Sequence, residues 1–201
     1  MKRPFDILMA GAGLLLLAPL FVVIALVIKL DSRGPVFFKQ HRMGKGFQPF
    51  WICKFRTMVE GAEELGHAIT FGADPRITRV GRLLRRSKID ELPQLFNILR
   101  GEMSLVGPRP EVPRYVGLFR RDYEAVLKVR PGLTDLASLK YRDEASLLGR
   151  SDCPETEYLE RVLPDKIRLA KEYIEKASFS YDLTLIFKTL VNLSDPRTMA
   201  K

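Results

Sequence analysis

Two adjacent carboxylates, Asp90 and Glu91, stand in a strongly basic stretch of this chain. From Arg76 to Arg100 there are seven basic residues and only these two acids. A carboxylate beside Arg85 and Arg86 is expected to stay ionised and so to act as a nucleophile or a metal ligand. Arg79, Arg82 and Arg86 fall at i, i+3 and i+7 and share one helix face. Lys54 and Arg56 flank Phe55 and alternate onto one face of a strand. Arg109 is held between Pro108 and Pro110. Cations, a helix start and a carboxylate pair are what phosphoryl transfer to or from an enzyme carboxylate requires. The bland reading is that Asp90 and Glu91 complement a helix dipole, a contribution of about 0.3–1 kcal/mol. The arginines crowding the pair argue for more than that.

Other chemistries lack their residues. Gly44-Lys45-Gly46 does not have the spacing of a phosphate-binding or dinucleotide glycine loop, and neither Ser-x-x-Lys nor Gly-x-Ser-x-Gly occurs. Cys53 and Cys153 lie a hundred positions apart, and with His41 and His67 they form no pair at ligand spacing. They give no disulfide framework, which suits a reducing compartment. The net charge of +9 could serve nucleic acid or anionic lipid. The aromatics are not interleaved with the basic residues as stacking platforms, so no nucleic-acid partner is expected.

The elements that must position these groups follow from the pattern. Gly34-Pro35 is a turn, Val36 to Gln40 a short strand, Gly44-Lys45-Gly46 a turn and Phe47 to Phe55 a second strand, together a hairpin. Val59 to Leu65 reads as a solvated helical turn and His67 to Asp74 as a loop. Ile77 to Leu84 has helical spacing. A further helix carries Leu92, Leu95, Phe96 and Leu99 on one stripe, starts close to Asp90 and stops at Gly101. Pro93 fits only its first turn. Residues 143–175 hold nine acids against five bases and read as solvent-facing helix. Phe179 to Val191 is either a core helix or one lying in a membrane interface.

The N-terminus differs from the rest. Ile7 to Ile28 is a run of 22 residues without a charge, long enough as a helix to reach roughly 33 Å, about the thickness of a bilayer core. No small-x-small site ends it, which argues against a cleaved signal peptide. Pro19, after Ala18, is expected to kink or break the helix. Both flanks are basic, Lys2 and Arg3 before the run and Lys29, Arg33, Lys39, Arg42 and Lys45 after it. A plain span satisfies the positive-inside preference on one flank only, and a re-entrant helix satisfies it on both. The residues alone leave these two arrangements even. The 201 residues, 46% hydrophobic and 28% charged, exclude overall disorder and suit one modest domain.

Several stretches together resemble the bacterial sugar transferase family, the small monotopic phosphoglycosyl transferases. They are the apolar run with its mid-segment proline, Lys54-Phe55-Arg56-Thr57-Met58, the 21 residues from Asp90 to Pro110, and Val129-Arg130-Pro131-Gly132-Leu133-Thr134. The resemblance implies a mixed α/β fold: a re-entrant membrane helix at 1–30, then a helix-rich catalytic domain at 31–201 with a short β-hairpin and interfacial amphipathic helices. It implies transfer of a sugar-1-phosphate from a UDP-sugar to undecaprenyl phosphate with release of UMP. That step would begin exopolysaccharide, O-antigen or capsule synthesis at the cytoplasmic face of the bacterial inner membrane.

By position, the resemblance makes Asp90 the nucleophile, with Mg²⁺ beside it, and Glu91 its dyad partner assisting proton handling. Lys54, Arg85, Arg109 and Arg142 match basic positions the family uses around the nucleotide and phosphates, and Asp182 a further functional acid; Arg56 and Arg86, from the charge pattern, complete the expected substrate-binding set. Three stretches depart from the family pattern: Ala18 replaces a frequent Ser before the kink proline, and Asp135-Leu136-Ala137-Ser138 and Arg142-Asp143 replace other common residues. A homodimer is compatible with the sequence. The alternative reading is a non-catalytic, basic, membrane-bound scaffold.

Overall fold

A computed structural model describes residues 2–62, 70 and 74–194. The chain opens with one long helix, α1 (Lys2–Asp31), and a β-hairpin of β1 (Phe37–Met43) and β2 (Pro49–Phe55). Helix α2 (Arg79–Arg86) leads into a 3₁₀ turn at Ile89–Glu91 and helix α3 (Gln94–Arg100). Next come β3 (Ser104–Val106), α4 (Pro113–Leu118), α5 (Arg120–Val126), β4 (Gly132–Thr134), α6 (Leu136–Lys140), α7 (Glu144–Leu148) and α8 (Pro154–Glu157). A π-helical turn at Tyr158–Val162 runs into α9 (Leu163–Lys176), and α10 (Phe179–Ser194) closes the described chain. The expected helix-rich α/β chain with a β-hairpin is present. Part of the expected turn and loop between Val59 and Asp74, residues 63–69 and 71–73, lies outside the described residues.

The hairpin pairs antiparallel with Phe37 opposite Phe55 and Met43 opposite Pro49. The second sheet, β3 parallel to β4, has no periodic signal, because its strands are three residues each. It depends on two glycines instead. Gly107 and Gly132 sit where the two backbones cross so closely that a Cβ on either would run into the other strand. That crossing fixes the Pro108-Arg109-Pro110 loop against β4.

Helix α3 departs from the expected stripe. Its buried residues are Gln94, Leu95, Asn97 and Ile98, whereas Phe96 and Leu99 are exposed. The helix lies between the hairpin and α1, so two of its faces are covered and a single stripe misleads. Asn97, 0% exposed, replaces a strand: its Oδ1 accepts from the Cys53 backbone N–H at 3.0 Å, and its Nδ2 donates to the Trp51 carbonyl at 2.7 Å. The free edge of β2 is thereby covered by a side-chain amide.

The acidic stretch 143–175 also departs from expectation. It supplies Leu148, Tyr158, Val162, Leu163, Ile167 and Ala170 to the largest core cluster, packed on Val112, Tyr115, Val116, Tyr123 and Val126 of α4 and α5 and their flanks. Its acids face outward, as in the Lys140–Asp165 pair at 2.7 Å. Charge balance reported the wet face and hid the apolar one beneath it. Helix α10 is a core helix on one face only. Leu185 and Asp182 point inward, and Phe179, Leu183, Phe187, Leu190 and Val191 remain exposed.

Helix α1 is not broken at Pro19; helical backbone runs from Lys2 to Asp31. Among the described residues it is the one helix long and apolar enough to cross a membrane. It packs along the domain through Ala10, Ile24 and Ile28, against Leu95, Ile98 and Met103 at one end and Phe55 and Leu84 at the other. Polar ties fasten both ends. Lys2 Nζ donates to the Val106 carbonyl at 2.9 Å and pairs with Asp182 at 2.7 Å. Asp6, buried, accepts from Ser104 Oγ at 2.8 Å and the Leu105 N–H at 3.1 Å. At the far end Arg56 donates to the Ser32 carbonyl at 2.7 Å and to that of Arg33, and Asp31 accepts from the Val80 N–H at 3.2 Å.

Two substitutions test this scaffold. Asn97→Leu keeps the volume but leaves the Cys53 N–H and Trp51 carbonyl unpaired. It should cost at least about 2 kcal/mol in chemical denaturation, at roughly 1–3 kcal/mol per orphaned buried group. Gly107→Ala should cost roughly 1–3 kcal/mol by overpacking, whereas Gly117→Ala, with open space around it, should leave the denaturation midpoint unchanged or raise it.

Candidate functional site

Asp90 and Glu91 lie on the 3₁₀ turn just ahead of α3, 7% and 8% exposed. The turn is set by Lys88, whose backbone adopts the left-handed conformation (φ 58°), and by the Glu91 N–H donating to the Lys88 carbonyl at 3.2 Å. Pro93 follows and caps α3, so the dyad precedes the regular helix. A cleft of about 2390 Å³ opens in front of the dyad, lined by Lys54, Arg85, Lys88, Asp90, Glu91 and Arg109 among others.

The two carboxylates have different environments. Glu91 takes Lys54 Nζ at 2.8 Å and both Arg109 terminal nitrogens, one at 3.1 Å and the other in a shorter contact. Burial on its own would raise its pKa, but Arg109 and Lys54 outweigh burial and hold it well below the usual range. Among the described residues Asp90 has no such partners. Its Oδ1 is buried without a hydrogen bond. Burial first, and the charge of Glu91 second, push the Asp90 carboxyl upward, against the pull of Lys54, Lys88 and Arg85. This differs from the expectation that flanking arginines simply keep it ionised. Arg86 is exposed at the cleft rim, and Arg85 donates to Thr57 Oγ1 at 2.8 Å and Thr70 Oγ1 at 3.1 Å.

The remaining candidates are scattered. Lys54, Arg85 and Arg109 gather at the dyad. Strand β2 ends at Phe55, and Arg56 turns to the Ser32 and Arg33 carbonyls, where it fastens the end of α1. Asp182 does not line the cleft; it accepts from Tyr173 at 2.6 Å and pairs with Lys2. Arg142 lies on the far wall. One of its nitrogens donates to the Asn192 carbonyl, and the other terminal nitrogen is buried without a hydrogen bond. Ala18 and Pro19 lie within the unbroken α1.

Three residues at the site carry roles the sequence reading did not assign. Asp135 caps α6, accepts from the Ser138 N–H at 2.8 Å and from the Arg109 N–H at 3.2 Å, and so orients the arginine loop. Its position just ahead of Leu136-Ala137-Ser138 was an available N-cap signal. Thr57 holds Arg85, and Gly81 passes so close to the Thr57 carbonyl that a side chain would not fit. In the sequence Lys88 stands out only as one of seven basic residues between Arg76 and Arg100. Its ammonium is pulled down by burial, with Glu91 and Asp90 opposing. No group of three metal-ligating side chains occurs among the described residues.

The protein-family model for the bacterial sugar transferase matches residues 1–195. The chain is 43% identical over 196 residues to an undecaprenyl-phosphate glucose phosphotransferase of Komagataeibacter xylinus, covering 94% of this chain and 35% of that protein. It is 40% identical over 192 residues to an N-acetylgalactosaminephosphotransferase of Aeromonas hydrophila that acts with undecaprenyl phosphate, covering 94% and 42%. It thus spans well under half of these two relatives. It is also 40% identical over 201 residues to the exopolysaccharide production protein PSS of Rhizobium leguminosarum bv. phaseoli, covering 96% and 94%. With one family matched from the first residue through α10, including the dyad turn and the loop that carries Arg109, the chain belongs to the bacterial sugar transferase family.

Proposed function

We propose that this protein is a membrane-bound phosphoglycosyl transferase that moves a sugar-1-phosphate from a UDP-sugar to undecaprenyl phosphate at the start of exopolysaccharide or related surface-glycan synthesis. The observation that carries the reading is the asymmetry of the dyad: Glu91 is tied down by two cations, while Asp90 keeps a buried, unpartnered oxygen beside the cleft. A carboxylate without partners inside a ring of cations is suited to attack a phosphorus whose negative charge those cations offset.

In the first step the Asp90 carboxylate bonds to the β-phosphorus of the donor. The bond from that phosphorus to the bridging oxygen breaks, and the oxygen leaves with the α-phosphate as UMP. In the second, a phosphate oxygen of the lipid acceptor bonds to the same phosphorus and the Asp90 carboxylate departs. Neither nucleophile carries a proton at neutral pH once Asp90 is ionised, so Glu91 is better cast as the anchor of Lys54 and Arg109 than as a proton carrier. Lys54, Arg85 and Arg109 supply the positive field for both anions in turn. The donor set fits Mg²⁺, which commonly takes one or two carboxylates and completes its shell with phosphate oxygens and water. Asp90, through its unpartnered oxygen, would hold it, and bound there it would neutralise pyrophosphate charge.

The same reading gives α1 a re-entrant placement on the cytoplasmic face of the inner membrane. A spanning helix would carry Lys2 and Asp6 across roughly 30 Å of hydrocarbon, away from Val106, Ser104 and Asp182. Ties at both ends to one domain support entry and exit on one side. The outward Leu15, Leu16, Leu26 and Leu30 of α1 and Phe187 of α10 supply apolar surface for lipid.

Two experiments test these statements. Donor and Mg²⁺ without acceptor should give a burst of UMP equal to the enzyme present and an added sugar-phosphate mass on Asp90. Asp90→Asn should lower UMP release at least about 1000-fold, as removal of a covalent nucleophile does. UMP that forms only when both substrates are present would replace the covalent route with direct transfer. In sealed vesicles, an N-terminal tag and a cysteine placed at Arg100 should label from the same side, and labelling from opposite sides would restore a plain span.

A further inference from the structure

Four cations surround the dyad, and they are not equivalent. Lys54 and Arg109 are committed to Glu91. Arg85 donates to two threonines. Lys88 lines the same cleft, in the electrostatic reach of Glu91, Asp90, Arg109 and Glu144, yet among the described residues its ammonium donates no hydrogen bond and pairs with no carboxylate within 4.0 Å. Glu144, the nearby acid on the far wall, is taken by Lys166 at 2.5 Å. With Glu91 neutralised, four cations face one further carboxylate, Asp90, and the positive surplus that remains is one an anion would balance.

The backbone adds an independent observation. Among the described residues Lys88 is one of two non-glycine residues with positive φ, at 58°. Glycine adopts this conformation without the penalty a Cβ brings. A strained residue two positions before Asp90, at the start of the dyad turn, is worth its cost only if its side chain is needed.

We propose that Lys88 is a phosphate-binding residue of this site, its ammonium held by the left-handed turn so that it engages the diphosphate of the nucleotide donor. This rests on the transferase reading for the donor's identity. Lys54 and Arg109 shape the dyad, and of the four cations around it Lys88 is the one left free to meet the ligand.

The left-handed backbone makes the test clean, because glycine and asparagine both accept it while removing the charge. Full-length protein in lipid nanodiscs, as parent, Lys88→Gly, Lys88→Asn and Lys88→Arg, is titrated with UDP in Mg²⁺ and assayed for UMP release from UDP-sugars. Loss of one charge-assisted hydrogen bond should weaken UDP binding roughly 10- to 100-fold in the glycine and asparagine variants. KM for the donor should rise in step, and Lys88→Arg should recover most of the binding. Thermal unfolding of Lys88→Gly should stay level or move up by about 2–4 °C as strain is released, which separates lost binding from lost folding. Parental UDP affinity in a folded glycine or asparagine variant would overturn the assignment, as would an arginine variant as weak as the glycine one. If the parent binds UDP through Lys88 but releases no UMP from any donor, the transferase reading fails and the phosphate assignment stands.

Discussion

A carboxylate buried to 8% exposure must be compensated, and the compensation of Glu91 organises this protein. An isolated charge at that depth would cost several kcal/mol. Lys54 reaches it from β2 and Arg109 from the proline-bracketed loop, so three segments distant in sequence meet at one side chain. The same contact leaves Asp90 as the carboxylate without partners. Two adjacent acids of nearly equal burial thus acquire opposite electrostatic characters, one held ionised and one pushed toward its protonated form.

The dyad, its cations and the hairpin were legible in the sequence because each has a local signal: charge density around Asp90, alternation along β2, and prolines fixing Arg109. What was not legible has a common physical cause. Asn97 and Asp6 look like ordinary polar residues until the elements they bridge are brought together, since their partners lie 44 to 99 positions away. The β3–β4 pair is three residues deep and depends on the Gly107–Gly132 crossing, which no periodicity announces. The acidic stretch concealed a core because charge composition sums over a helix, whereas burial is decided face by face.

Arg56 and Asp182 illustrate how a basic or acidic residue in a promising neighbourhood can be needed for architecture. Both fasten α1, one at each end. Lys2 and Arg3 invite reading as a charged membrane flank, and they also hold the domain, Lys2 on Val106 and Arg3 on the Leu99 carbonyl at 3.2 Å. A terminal charge has room for both tasks, because an ammonium or guanidinium carries several donors.

The side-chain amide that closes the edge of β2 has a mechanical consequence. It welds hairpin, dyad turn and α3 into one rigid wall, so Lys54, Asp90 and Glu91 keep a common frame. The opposite wall is built from α6, α7 and α10, and Arg109, tied through its backbone to the Asp135 cap of α6, reaches from that side to Glu91. Under the proposed function such a layout divides the labour: the reacting carboxylate is anchored on masonry, and the facing panel is free to vary without disturbing it.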